Sequence, residues 1–434
     1  MSANSVSRRR FLQVSAGVAG VAGLSSAGLT ACSSSGAKSD PKKLTLATTS
    51  DLVDMLKAPL AQFKKQNGIT VTLRLMPSDT GAYFDAMRTR FQAHSSDIDV
   101  IAGDVSWPAQ FAANGWLEDL TSRFTPALRA PFLPATVTAN TYKGGIYGVP
   151  FYTDAGFLYY RKDLLEKASY SEPPQTWDEL EAMAKKVMAD SKIANGYVFQ
   201  GAQYEGGTVN GMEFIRTSGG DVLNGNNVVI GEPKAVRGLQ IQRSLVTSGV
   251  SPAGVAEYKE DESGGAFLGG KCVFLRSWGY LYGATSDTEQ SKLSPEQVGV
   301  TSVPRADAGI APVNVGGGWS LYLNARSPKH DAAWELMKFI AAAPQQKIWA
   351  TEGGLLPTLS ALYDDAALVK ALPVIAAGKA ITAQTTTPPV SRYYADMSLA
   401  MAKHFNASLR GAESPQQAAE ALSKQLATIV NHSN

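Results

Sequence analysis

Only two cysteines and four histidines occur in the 434 residues, and charge is sparse at 18%, with 40 basic side chains against 38 acidic ones. Each shortage excludes a class of function. His94, His330, His404 and His432 come no closer than 28 positions to one another, and neither HExxH nor CxxC occurs, which argues against a zinc site. No cofactor is expected. A formal net charge of +2, with no Lys/Arg block beyond the first residues, argues against nucleic acid, because phosphate backbones are bound by clustered basic groups. What is abundant is apolar side chain, 44% of the chain. That is enough to fill the cores of two or three domains and excludes both a disordered chain and a small disulfide-stapled scaffold.

The N-terminal segment reads as an export signal. Ser7-Arg8-Arg9-Arg10-Phe11-Leu12-Gln13 is a twin-arginine run, and the uncharged stretch from Val14 to Leu29 is too short and too rich in Gly, Ala and Ser for a spanning helix. Leu29-Thr30-Ala31-Cys32 looks like the lipobox of bacterial lipoproteins. On this reading residues 1–31 are removed, Cys32 is acylated, residues 32–42 form a tether, and the protein sits lipid-anchored on the outer face of the cytoplasmic membrane. The alternative is a plain cleaved leader with an incidental cysteine. Acylation of Cys32 leaves Cys272 without a partner, so Cys272 in Lys271-Cys272-Val273-Phe274-Leu275 reads as a small buried hydrophobe in a strand. Loss of Arg8, Arg9 and Arg10 takes the formal charge from +2 to −1, so the slight basicity belongs to the leader.

Beyond the tether, short apolar strands alternate with amphipathic helices. Leu44 to Ala47 predicts a strand; Leu52, Met55, Leu56, Leu60 and Phe63 repeat at helical spacing until Asn67-Gly68. Ile69, Val71, Leu73 and Leu75 alternate as in a strand, a further helix carries Tyr83, Phe84, Met87 and Phe91, and Ile98 to Ile101 predicts a buried strand ending at Gly103-Asp104. This alternation implies an α/β layer with mostly parallel strands, whose ligands bind beyond the carboxyl ends, where Asp104 falls. Tyr147 to Tyr160 is extended and aromatic enough to run between two lobes. A capping box at Thr176-Trp177-Asp178-Glu179 starts a helix, Pro233 to Leu245 is helical, Val298-Gly299-Val300 predicts a strand returning to the first lobe, and Ser327-Pro328 opens a further helix with Ser as its cap. The chain is then mostly helical to its end.

Catalytic motifs fail on inspection. Gly265 to Cys272 matches a phosphate-binding loop except that Cys272 stands where a magnesium-holding hydroxyl is needed, and the order of helix and strand is reversed. Gly316-Gly317-Gly318 lacks GxGxxG spacing, and GxSxG is absent. Asp104 and Asp154 both follow apolar strands and have the residue types of a glycosidase acid and base, but carboxylates at strand ends also hydrogen-bond sugar hydroxyls without chemistry. Aromatics stand beside Gly and Asp at segment ends: Asp104 with Trp107, Tyr152 with Asp154, Trp278 with Gly279 and Tyr280, and Gly317-Gly318-Trp319. Sugars present apolar ring faces rimmed by hydroxyls, which such pairs match. Trp116, Trp177, Trp334 and Trp349 lie on helical periodicity and are assigned to packing.

The order of Asp99 to Trp107, Gly115 to Leu120, Tyr147 to Asp154, Leu158 to Leu165, Phe267 to Lys271 and Glu352 to Pro357 resembles the extracellular solute-binding proteins of carbohydrate ABC importers, of maltose/trehalose type, over nearly the whole chain from Lys43. The resemblance implies an α/β, two-lobe periplasmic-binding-protein-like fold with hinge strands and an interlobe cleft, with lobe I from residues 43–153 plus 304–329 and lobe II from residues 154–303 plus 330–434. It implies that Asp104 accepts bonds from sugar hydroxyls, that Tyr152 and Asp154 contact the sugar at the hinge, that Trp278 stacks on a ring, and that Gly317, Gly318 and Trp319 line the site. Asp51, or Ser50 beside it, would add a polar contact. One departure concerns an arginine that grips trehalose in that family: Pro388 stands in its place, and Arg392 follows four residues later either as a shifted contact or as a solvated arginine. The expected protein is a non-catalytic monomer that binds a neutral sugar and delivers it to the membrane-spanning subunits of an ABC permease. The rivals are a secreted glycoside hydrolase using Asp104 and Asp154, and a binding protein of the same fold for a charged solute.

Overall fold

In the computed structural model, which describes residues 40–225 and 227–431, Lys43–Thr48 (β1) lies parallel to Thr70–Leu75 (β2) on one side and to Val100–Asp104 (β3) on the other. Helices Val53–Asn67 (α1) and Thr80–Gln92 (α2) make the crossovers. α1 stops at Gly68, whose φ of +69° is a left-handed conformation that glycine adopts at little cost. Asp79 caps α2 by accepting the Ala82 amide at 3.0 Å. Leu44, Leu46, Leu56 and Phe63 fill the core on one face of the sheet, and Tyr83, Phe84 and Met87 fill it on the other.

The aromatic segment does cross between sheets. Val149–Ala155 (β4) joins the first sheet and Phe157–Arg161 (β5) the second, with Gly156 alone between them. A Cβ at Gly156 would lie 2.1 Å from the Glu213 carboxylate, so the crossing requires glycine. The second sheet runs Val298–Ser302 (β8), β5, Cys272–Ser277 (β7), Asn195–Val198 (β6). Asn314–Leu323 (β9) takes the chain back to the first sheet, antiparallel to β3 and β4, and its first residues pair with Thr385–Thr386 (β10).

Both sheets are therefore mixed rather than mostly parallel, because the strands that cross between them enter antiparallel to strands already in place. Val298-Gly299-Val300 does not return the chain to the first sheet. It forms the edge of the second, antiparallel to β5, and the return comes with β9.

Trp177–Ser191 (α3) opens with the expected capping box: the Glu179 amide donates to Thr176 Oγ1 at 3.2 Å, and the Glu179 carboxylate accepts the Thr176 amide at 3.1 Å. Glu205–Thr217 (α4), Pro233–Thr247 (α5) and Glu260–Leu268 (α6) follow. His330–Ala341 (α7) begins later than Ser327 predicts, although the Ser327 hydroxyl accepts the Lys329 amide at 3.1 Å while donating to Asp99 at 2.6 Å. Trp334, Met337 and Ile340 of α7, with Trp349 of Ala343–Gly353 (α8), pack in the same core as Leu44 and Leu46. The expected division gave residues 330–434 to lobe II, but this apolar stripe covers the first sheet. Tyr394–Arg410 (α9) and Pro415–Asn431 (α10) pack with α4 and α5 through Met212, Leu239, Met401 and Leu422.

Cys272 is fully buried in β7, and burial pushes its thiol well up, as suits an inert core residue. Among the described residues no helix is long and apolar enough to cross a membrane. The export signal, Cys32 and residues 32–39 of the expected tether lie outside the described residues.

Candidate ligand-binding site

The loop after β1, the ends of β3 and β4 and the first half of β9 meet the starts of α4 and α6 and the segment after β7 around a cavity of about 750 Å³. Asp51, Asp104, Tyr152, Asp154, Trp278, Gly317, Gly318 and Trp319 all line it. Strand ends leave backbone direction fixed while freeing the next side chain to face the cleft, which is why residues far apart in sequence converge here.

The carboxylates differ in what they have left to offer. Asp104 Oδ1 accepts the Ser106 amide at 2.8 Å and its hydroxyl at 2.6 Å, while Oδ2 has no protein partner among the described residues. Burial pushes the Asp104 carboxyl up, with the Ser106 bonds working against it. Asp154, at the end of β4, is 6% exposed. Its Oδ1 accepts amides from Ala155 at 2.9 Å and from Gly279 at 2.8 Å, so it also ties the first sheet to the segment leaving the second. Burial raises it to about 7, against the lowering effect of the two amides and the Arg276 charge.

Trp278 leaves β7 half-buried. One side of its indole faces the Arg276 guanidinium carbon at 4.0 Å from the ring centre, and its edge lies so close to Gly317 that a Cβ there would sit 3.2 Å from the ring. Tyr152 and Trp319 are cross-strand partners whose rings lie nearly parallel, 6.3 Å apart at 13°. Burial, then the charges of Asp51, Asp154 and Asp104, holds the Tyr152 phenol well above its ordinary value, so it stays a donor at neutral pH. Gly318 adopts φ +115°, and a Cβ on it would meet the Tyr152 carbonyl oxygen at 2.5 Å.

Two expectations change. Trp107, paired with Asp104 in sequence, is only 3% exposed and packs edge-on to Tyr83 with ring centres 4.9 Å apart, so it supports the wall from behind. Arg392 is exposed, with its guanidinium 5.2 Å above the Tyr393 ring, and does not line the cavity; Pro388 does.

Sequence reasoning missed Glu205, Tyr204, Lys259 and Glu260. Glu205 accepts from the Tyr394 hydroxyl at 2.5 Å and from Ser398, and burial with the Asp104 charge pushes it up to about 7. Tyr204 donates to Glu260 at 2.8 Å, and Lys259 pairs with Asp79 at 3.1 Å, joining the start of α6 to the cap of α2. In sequence Glu205 and Glu260 look like ordinary first-turn helix acids, which the helix dipole favours anywhere.

Residues 49–347 match the family of bacterial extracellular solute-binding proteins. The chain belongs to that family. This solute-binding protein is 35% identical to a probable ABC transporter-binding protein of Deinococcus radiodurans, over 78% of this chain and 81% of the relative. Among solved structures, the maltose-bound MalE3 of T. maritima is 36% identical with a TM-score of 0.83, covering 89% of this chain and 99% of that one. The GacH receptor of Streptomyces glaucescens, at 23% identity and TM-score 0.78 over 90% of this chain and 98% of its own, shares the fold. The solute-binding protein thus has the two-lobe periplasmic-binding-protein fold, and it is a substrate-binding protein of the ABC transporter type, not an enzyme. The glycosidase reading of Asp104 and Asp154 is overturned with it.

Proposed function

We propose that this solute-binding protein captures a neutral di- or oligosaccharide, an α-glucoside such as maltose or trehalose, and delivers it to the permease of a carbohydrate ABC importer. The observation that carries the reading is the wall of the cleft: half-buried aromatic faces at Trp278, Tyr152 and Trp319 beside an Asp104 oxygen with no protein partner among the described residues. A pyranose needs that combination, a flat apolar platform with acceptors at the rim. Likeness to maltose-bound MalE3 supports the α-glucoside class.

In this account Trp278 stacks on a sugar ring, Asp104 and Asp154 accept from hydroxyls, the Tyr152 phenol donates, Gly317 and Gly318 admit the ligand against backbone beside Trp319, and Asp51 adds a contact at the exposed rim. Lobe I centres on the first sheet and lobe II on the second, and the strands crossing at Gly156 and into β9 act as hinges. Ligand contacts drawn from both lobes exist together only in the closed form, so binding shifts the equilibrium toward closure by the difference in affinity. The permease reads that form, and acylated Cys32 holds the receptor near it.

A thermal-shift panel of maltose, trehalose, sucrose, cellobiose and xylobiose tests the reading, because a ligand that binds only folded protein raises its melting temperature. Maltose or trehalose is expected to give the largest rise. Binding that falls steeply with salt would instead indicate a charged solute.

A further inference from the structure

Behind the Trp278 platform lies a charged pair that does not face the cleft. Arg276, in β7, is fully buried, and Glu213, in α4, is 3% exposed. Arg276 Nε donates to Glu213 Oε2 at 2.7 Å, Nη2 to Oε1 at 3.4 Å, and Nη1 to Gln200 Oε1 at 3.3 Å. Glu213 Oε1 also accepts the Val315 amide of β9 at 3.0 Å. Gly156 also borders the pair: a Cβ there would lie 2.7 Å from Arg276 Nη2 as well as 2.1 Å from Glu213 Oε1. The pair therefore occupies the place where the chain crosses between the sheets, touching both the β4–β5 crossing and the incoming β9.

Stability alone does not account for such a pair, since well-packed apolar residues of similar volume often serve equally well in its place. Nor does Arg276 line the cavity. What it does is present a flat cation 4.0 Å from the Trp278 ring centre, where the ring quadrupole attracts it, with the guanidinium plane itself held by the carboxylate fork. The indole is fixed from behind by a group that the hinge strands hold in turn.

We propose that Arg276 and Glu213 are positioning residues, which set the orientation of the Trp278 indole as a sugar platform and couple it to the strands crossing between the lobes. The proposal rests on Trp278 being that platform, so its test has an arm that needs no sugar. Full-length protein is labelled with 5-fluorotryptophan, and the Trp278 fluorine resonance is identified by its loss in Trp278→Phe. The double variant Arg276→Met with Glu213→Gln removes both charges at similar volume, and Arg276→Lys keeps the charge but not the planar face.

In ligand-free wild type the resonance is expected to be single and narrow. In the double variant it broadens or splits, while maltose affinity falls about tenfold, the scale of one desolvated cation–π contact, and the melting temperature stays within a few degrees. Arg276→Lys is expected to broaden the line too, and it carries the test if the double variant does not fold. A line that stays narrow in the variants overturns the proposal whatever the sugar affinity, and so does unchanged maltose affinity in a variant whose line broadens. Wild type that binds no sugar of the panel, with a line that still broadens in the variants, supports the positioning role and overturns the sugar reading instead.

Discussion

An indole with a guanidinium on one side and glycine at its edge has one face left for a ligand. Trp278→Ala is therefore expected to weaken maltose binding by about tenfold or more, near the upper range for a lost aromatic contact, and to lower the melting temperature by a few degrees, because the half-buried indole also covers the Arg276 guanidinium. Calorimetry beside a thermal melt separates the two effects. Arg392→Ala is expected to leave affinity within error, since that side chain points to solvent beside Tyr393. The raised carboxyls of the cleft predict a pH dependence. Asp154 and Glu205 stand at about 7 against ordinary values of 3.8 and 4.5, so between those limits the folded protein holds protons that the unfolded chain has released. Stability of the ligand-free protein therefore falls as pH rises from about 4 to about 7, the direction that linkage requires when the folded state binds more protons. Sugar hydroxyls donate to the ionised forms, so maltose affinity is expected to rise over the upper part of that range, with protons released on binding. Titrations in buffers of different ionisation enthalpy measure this, and Asp154→Asn is expected to flatten the profile.

At the level of elements, the site depends on backbone that only particular residues permit. Gly318→Ala forces a side chain into φ +115° and against the Tyr152 carbonyl, and is expected to cost roughly 2–3 kcal/mol in denaturant unfolding, the scale of a strained backbone residue. The Lys259–Asp79 pair joins elements packed on different sheets, but both side chains are about half exposed. A double-mutant cycle on it is expected to give under ~1 kcal/mol. Local signals read well at this scale: Gly68 stops α1, Asn67 and Gly68 mark the end in advance, and the Thr176–Glu179 capping box stands where the sequence places it. Pairing over distance did not. Val298–Ser302 belongs to the second sheet because β5, far earlier in the chain, offers it an edge, and no feature of Val298-Gly299-Val300 itself says so. Ser327 has a capping residue's chemistry and accepts the Lys329 amide, yet the helix itself begins only at His330.

For the whole molecule, the place of Asp104, Tyr152, Asp154 and Trp278 in the cavity wall was legible because strand ends in an α/β protein border the cleft, and an aromatic beside an acid there is uncommon enough to notice. Tyr280, two residues after Trp278, lines the cavity as well. Glu205 and Glu260 were hidden because an acidic residue in the first turn of a helix needs no ligand to explain it. The expected lobe boundary at residue 330 falls too early, since the stripe of Trp334, Met337 and Ile340 shows that a helix is amphipathic without showing which sheet it covers. These pieces meet in one claim, that a cleft walled by aromatics and carboxylates binds a neutral α-glucoside without altering it. Calorimetric titration of the purified protein with maltose and trehalose tests that claim most directly. Saturable one-to-one binding of at least one of them, weakened by Trp278→Ala and with the sugar recovered intact, is the predicted result. Absence of binding to either sugar, or recovery of free glucose, contradicts it.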